Sequence, residues 1–152
     1  MRAHLVIPAD LRAAFEAAGV DEGELGDPTV IACPSGHHDW PSLLASLTVV
    51  FEKSRAAAIA ESSVVYVVSS DALLGRTGPL DAMAANGVVS AARTLAAELR
   101  KAGVSVNCLG VGVDTPPATV VEWAMRLLDA GVDGPTGELV QLGGAQIGKA
   151  LS

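Results

Sequence analysis

Aromatic side chains are scarce in this sequence: Phe, Trp and Tyr make up 3% of its 152 residues, and Tyr66 is its one tyrosine. Ala, Val, Leu and Gly must then fill the interior, which favours closely packed helices. Basic clusters are absent beyond Arg100-Lys101, and ten Lys and Arg against 17 Asp and Glu leave a net charge of −7. Counterion release from nucleic acid needs clustered cations, so no nucleic-acid partner is expected. No apolar run approaches the ~20 residues of a membrane-spanning helix, so no membrane partner is expected either. The opening MRAHLVIPADLR has no long apolar core of a secretory leader. The two cysteines, Cys33 and Cys108, each end an apolar run. They argue against a disulfide framework and for a reducing, cytoplasmic setting.

What is present is a regular alternation. HLVIP is a short apolar run, followed by ADLRAAFEAAG as a helix with Asp10 as its N-cap and Gly19 past its end. Residues 21–28 are acidic and Gly-containing, a loop. TVIAC at 29–33 is an apolar run closed by Pro34-Ser35-Gly36, and a helix follows over 40–60. SVVYVVS at 63–69 is β-branched and apolar on both faces, as a central parallel strand requires. After a loop at 71–79, a helix over 80–101 is closed by Gly103, and 104–109 is the next strand. Thr115-Pro116-Pro117 starts a helix that runs to 129, and GELVQL at 137–142 is a last strand. Strict alternation predicts an α/β, Rossmann-like three-layer sandwich, one domain over 1–152, with a mostly parallel sheet of about five strands.

Several stretches resemble the short-chain dehydrogenase/reductase family, closest to its 3-oxoacyl-thioester reductase branch. TVIACPSG is similar to the family's strand ending in Asn-Asn-Ala-Gly, and DWPSLLASLTVVFEKSRAA to the helix after it. SSVVYVVSSDALLG resembles the strand that ends at the catalytic Ser, here Ser70. AARTLAAELRKAGVSVNCLGVG resembles the unit R-x-L-A-x-E-L…G-I-x-V-N, and GPTGELVQLGG the closing T-G-x-x-x-x-x-G-G. Together they cover residues 27 to 144 in the family's order.

The resemblance implies a catalytic Tyr with a Lys four residues later, and both positions are vacant. Counting forward from Ser70 places Met83 and Gly87 there; counting back from Glu98 places Asp81 and Ala85. Ser46 stands where the family's tetrad has Asn, and Ser70 alone is kept, a vestigial hydroxyl. The family's opening Gly-rich turn, which brings pyrophosphate to a helix N-terminus, is replaced by Pro8-Ala9-Asp10. Only about 26 residues precede TVIAC, so the first βαβ cofactor-binding part is expected to be missing. These departures predict an N-terminally truncated, catalytically incomplete member that is no enzyme on its own, with no cofactor and no metal.

The remaining polar residues have modest expected roles. Cys33, His37, His38 and Asp39 have loosely metal-like spacing but read as solvated loop residues. Asp10 reads as a helix cap, Trp40 and Trp123 as packing, Asn107 as a strand-end hydrogen-bonding residue. An enzyme using Ser70, Asp71 or Asp81 in unrelated chemistry is the least favoured reading. One feature is harder to place: AMAANGVVSAA, over 82–92, carries no charge through several helical turns, and SRAAAIA on the preceding helix is similarly small. A surface helix should show a polar stripe. Ala84, Ala85, Val88 and Ala92, with Val50 and Ala57, are therefore the expected subunit interface. The predicted role is a dehydrogenase-like subunit pairing with a full-length, active short-chain dehydrogenase/reductase, on CoA- or carrier-bound hydroxyacyl or oxoacyl groups. The alternative is a homodimeric small-molecule-binding protein without dehydrogenase activity.

Overall fold

The β-branched runs form strands because each is flanked by Gly, Pro or Ser and is too short and too branched for a helix. In the structure, a computed structural model that describes residues 1–143, they build one sheet. Gly144 of the closing motif and Lys149 lie outside the described residues. The strands are β1 (Arg2–Val6), β2 (Asp21–Glu22), β3 (Thr29–Ala32), β4 (Val64–Ser69), β5 (Val106–Val111) and β6 (Leu139–Leu142). They lie in the order β2-β1-β3-β4-β5-β6, and every pair is parallel. The helices are α1 (Ala9–Ala17), α2 (Trp40–Ile59), a single turn α3 (Ser70–Leu73), α4 (Pro79–Glu98) and α5 (Pro117–Ala130).

Strand side chains alternate between faces, so each central strand feeds two cores. Val65 and Val67 of β4 and Leu109 of β5 pack with Leu11 and Phe15 of α1 and with Val120, Ala124 and Leu128 of α5. Val64, Tyr66 and Val68, with Val106 and Cys108, pack with Val50 and Ala57 of α2 and with Val88 and Ala92 of α4. Helices thus cover both faces, and the Rossmann-like α/β class stands as expected.

The sheet has one strand more than expected. Asp21 and Glu22, read as loop, pair with Arg2 and Ala3 as β2. Two residues are too few to show a period, so pattern alone does not mark them. The chain then returns past β1 to β3, which pairs His4 with Thr29 and Leu5 with Val30. Gly23 permits that return: a Cβ there would lie 2.8 Å from the backbone carbon of Ala3. A reduced β-α-β unit therefore opens the chain.

The expected interface is corrected by burial. Ala84, Ala85, Val88, Ala92, Val50 and Ala57 are at most 6% exposed, all within this one chain. Small residues on α4 let it settle onto β4, β5, α2 and α3 at once, so its apolar character belongs to the chain's own core rather than to an outer face. Asp10 is also displaced: the N-cap of α1 is Pro8, and Asp10 lies exposed in the first turn. Trp40, expected to pack, is 56% exposed at the start of α2. Asn107 does bond as read, donating to the Pro135 carbonyl at 2.7 Å and accepting from the Glu138 N–H.

Phe15 is fully buried and joins α1 to β1 and α5. Phe15→Ala should cost roughly 3–5 kcal/mol, transfer and cavity together. Urea unfolding of the purified variant measures it, and a loss under about 1 kcal/mol would mean that the α1 layer is not integral to the core.

Candidate functional site

In an open parallel sheet, the crevice for a ligand lies where the strand order reverses, beyond the C-terminal strand ends. Here α1 leads from β1 outward to β2, while α2 leads from β3 the other way to β4, so the reversal falls between β1 and β3. A cavity of about 680 Å³ opens there. Val6, Ile7 and Pro8 after β1, Cys33 after β3, and Ser46 and Val49 of α2 line it. A second cavity of about 450 Å³ shares Pro8 and Cys33 and runs on past Ser69, Asp71 and Thr115.

The loop 34–39 sets the polar groups beside the first cavity. Its far end is fixed by Asp39, which caps α2: the Ser42 N–H donates to its carboxylate at 2.9 Å, and the Ser42 side chain completes a capping box. Its middle is fixed from across the fold. Asp81, in the first turn of α4 and 2% exposed, accepts the Gly36 N–H at 2.9 Å and the His37 N–H at 2.9 Å. The His37 ring then lies with Nδ1 2.7 Å from Asp81 Oδ1 and Nε2 2.9 Å from Ser46 Oγ. Both ends of the Asp81–His37 pair are sealed, at 1% and 4% side-chain exposure.

The electrostatics follow from these contacts. Burial opposes charge on Asp81, but N–H donors from His37 and Gly36, the imidazole and the Thr77 hydroxyl outweigh it and hold the carboxyl at about 2. An ionised Asp81 accepts the Nδ1 proton of His37. With Nδ1 directed to Asp81, the other ring nitrogen, Nε2, faces the Ser46 hydroxyl. Cys33 places a thiol on the same cavity wall. Burial, then the Asp81 charge, push its thiol up to about 11, so it stays protonated at neutral pH.

The sequence-derived candidates divide sharply. Ser70 is 1% exposed, donates to Gln141 Oε1 at 2.6 Å and lines neither cavity, although Ser69 and Asp71 beside it line the second. Gln141 can reach it because it lies over Gly110, where a Cβ would be 2.5 Å from the amide. Of the two registers for the vacant Tyr and Lys, Asp81 and Ala85 face inward, whereas Met83 is 53% exposed and Gly87 is exposed as well. His37 is corrected: read as a solvated loop residue, it is the middle of a buried relay. His38 remains exposed, and Asp39 is a cap. Among the described residues no group of three metal-ligating side chains converges, and no helix is long and apolar enough to cross a membrane. Sequence reasoning missed the joining of His37, Ser46 and Asp81. The one signal available was an acidic residue, Asp81, just before the uncharged stretch 82–92, where a free carboxylate would have to find donors.

No family model matches the sequence, nor does any curated protein. Solved structures do match. An oxidoreductase of the short-chain dehydrogenase/reductase family from Burkholderia thailandensis superposes with a TM-score of 0.71 at 19% identity, over 92% of this chain and 71% of that one. A short chain dehydrogenase from Mycobacterium smegmatis gives 0.64 at 21% identity, over 88% of this chain and 64% of that one. The fold is short-chain dehydrogenase/reductase-like. These matches correct the expectation that the chain is no enzyme: its structural neighbours are an oxidoreductase and a dehydrogenase.

That fold implies a nicotinamide dinucleotide, and the first β-α turn does not fit its pyrophosphate. Pro8 supplies no N–H at the N-cap of α1, and Asp10 sets a negative charge in the first turn. Calorimetric titration of NAD or NADP into the isolated chain should show no binding at micromolar affinity, about −8 kcal/mol; a clear isotherm there would refute the misfit.

The carboxyl of Asp81 is held at about 2, below its ordinary 3.8. Its contribution to stability, on the order of 2 kcal/mol, is fully present above 3.8 and is lost as pH falls toward 2. Acid unfolding of Asp81→Asn, followed by circular dichroism, should therefore lack the component that the wild type loses across that interval.

Proposed function

We propose that the chain is an oxidoreductase-related subunit that assembles with a full-length, active short-chain dehydrogenase/reductase. The sequence motifs point to the 3-oxoacyl-thioester reductase branch, hence to CoA- or carrier-bound hydroxyacyl or oxoacyl substrates. The chain supports its partner's fold and borders the partner's substrate pocket.

The observation that carries this reading is the outer surface of α2 and α4. Leu44, Phe51 and Ile59 stand 57%, 66% and 71% exposed along α2, on one row at helical spacing. Beside them a groove of about 510 Å³ runs between the two helices, with Ala58, Gly87 and Ala91 in its walls. Small residues let a second helix approach closely, and large apolar ones beside them reward it with burial at ~25 cal/mol per Å². The alternative, a homodimer binding a small apolar molecule, draws support from the 680 Å³ cavity at the strand reversal.

Sedimentation tests the assembly, with the chain alone and mixed with a full-length short-chain dehydrogenase/reductase from its own genomic neighbourhood. The wild type should co-sediment with the dehydrogenase. Phe51→Glu and Ala91→Arg should abolish this without lowering the unfolding temperature, because both positions are exposed. A wild type that stays monomeric at high concentration and binds no such dehydrogenase overturns the reading.

A further inference from the structure

We infer that Asp81, His37 and Ser46 form a nucleophilic acyl-transfer site that hydrolyses esters or thioesters of aliphatic acids held in the cavity between β1 and α2. Three observations meet there. The carboxylate-imidazole-hydroxyl chain is continuous, at 2.7 and 2.9 Å. Its Asp and His are sealed from water, while Ser46 is partly exposed. Ser46 is also a wall residue of the 680 Å³ cavity, whose other walls are apolar at Val6, Ile7, Pro8 and Val49. The relay thus hands its reactive oxygen to an apolar chamber sized for an acyl chain.

The roles follow from geometry. Asp81, ionised and saturated with donors, is a positioning residue: it fixes the ring and its tautomer and stabilises the imidazolium that forms. His37 Nε2 is the general base. Ser46 Oγ attacks the carbonyl carbon as its proton passes to His37 Nε2. The imidazolium gives that proton to the departing alkoxide or thiolate, and the acyl group stays on Ser46 Oγ. A water then loses a proton to Nε2 and attacks the acyl carbon. The Ser46 oxygen leaves with the proton from Nε2, and a carboxylic acid is released. Cys33, protonated on the same wall, does not compete. This chemistry is independent of the assembly proposed above.

The probes are an alkyl fluorophosphonate, read by intact mass and peptide mapping, and p-nitrophenyl hexanoate, read by nitrophenol release. The isolated chain should acquire one phosphonyl adduct, on Ser46, and hydrolyse the ester. Ser46→Ala should lose the adduct and at least ~100-fold in rate while keeping the wild-type unfolding temperature. His37→Gln should lose rate to the same degree. Asp81→Asn should lower kcat and leave KM unchanged, a split that a purely structural role does not produce. If Asp81→Asn fails to fold, Ser46→Ala carries the decision. No adduct, an adduct on another serine, or hydrolysis retained in Ser46→Ala overturns the inference, and the three residues are then a loop anchor only.

Discussion

The loop after β3 has no regular backbone partners, yet it must present a fixed wall to the crevice. Asp81 makes this possible. A buried carboxylate is costly unless donors surround it, and Gly36, His37 and Thr77 supply them. In satisfying one charge, the fold ties the loop to the first turn of α4, orients the His37 ring, and sets that ring against Ser46 on α2. The loop and the helix α2 that follows it are thus joined to α4, more than forty residues on, through a single carboxylate.

The same economy of small residues runs through the rest of the molecule. With few aromatics, the two cores are built from Val, Ala and Leu, and each central strand sends successive side chains to opposite layers. Close helix packing follows, and it draws Ala84, Ala85, Val88 and Ala92 inward. On α2, by contrast, Leu44, Val49, Phe51 and Ile59 remain outside. An uncharged helical stretch is therefore ambiguous by composition: it describes an interface and a tightly docked internal helix equally well. Only the neighbours of the helix separate the two.

The polar site shows the same ambiguity on a smaller scale. Ser70 keeps its place at the end of β4, yet its hydroxyl turns to Gln141, because Gly110 leaves room for that amide over the sheet. The fold retains the position and spends the hydroxyl on internal bonding. The continuous polar chain lies instead at the strand reversal, among residues whose types the motifs did not demand.

Strand and helix order, the parallel sheet and its Rossmann-like class were legible in the sequence, because β-branched apolar runs and their Gly and Pro boundaries are local properties. The two-residue β2 was not, since pairing rather than pattern defines it. Ser46 and Asp81 were marked by the resemblance as substituted positions, but His37 was read as solvated, and nothing local contradicts that reading. His37 and Asp81 are 44 residues apart, and they meet only because α4 packs against β4, the strand paired with β3, and against α2. The sequence by itself determined the layers; tertiary structure alone decided which polar groups met, because a hydrogen bond is set by distance in space and leaves no period along the chain.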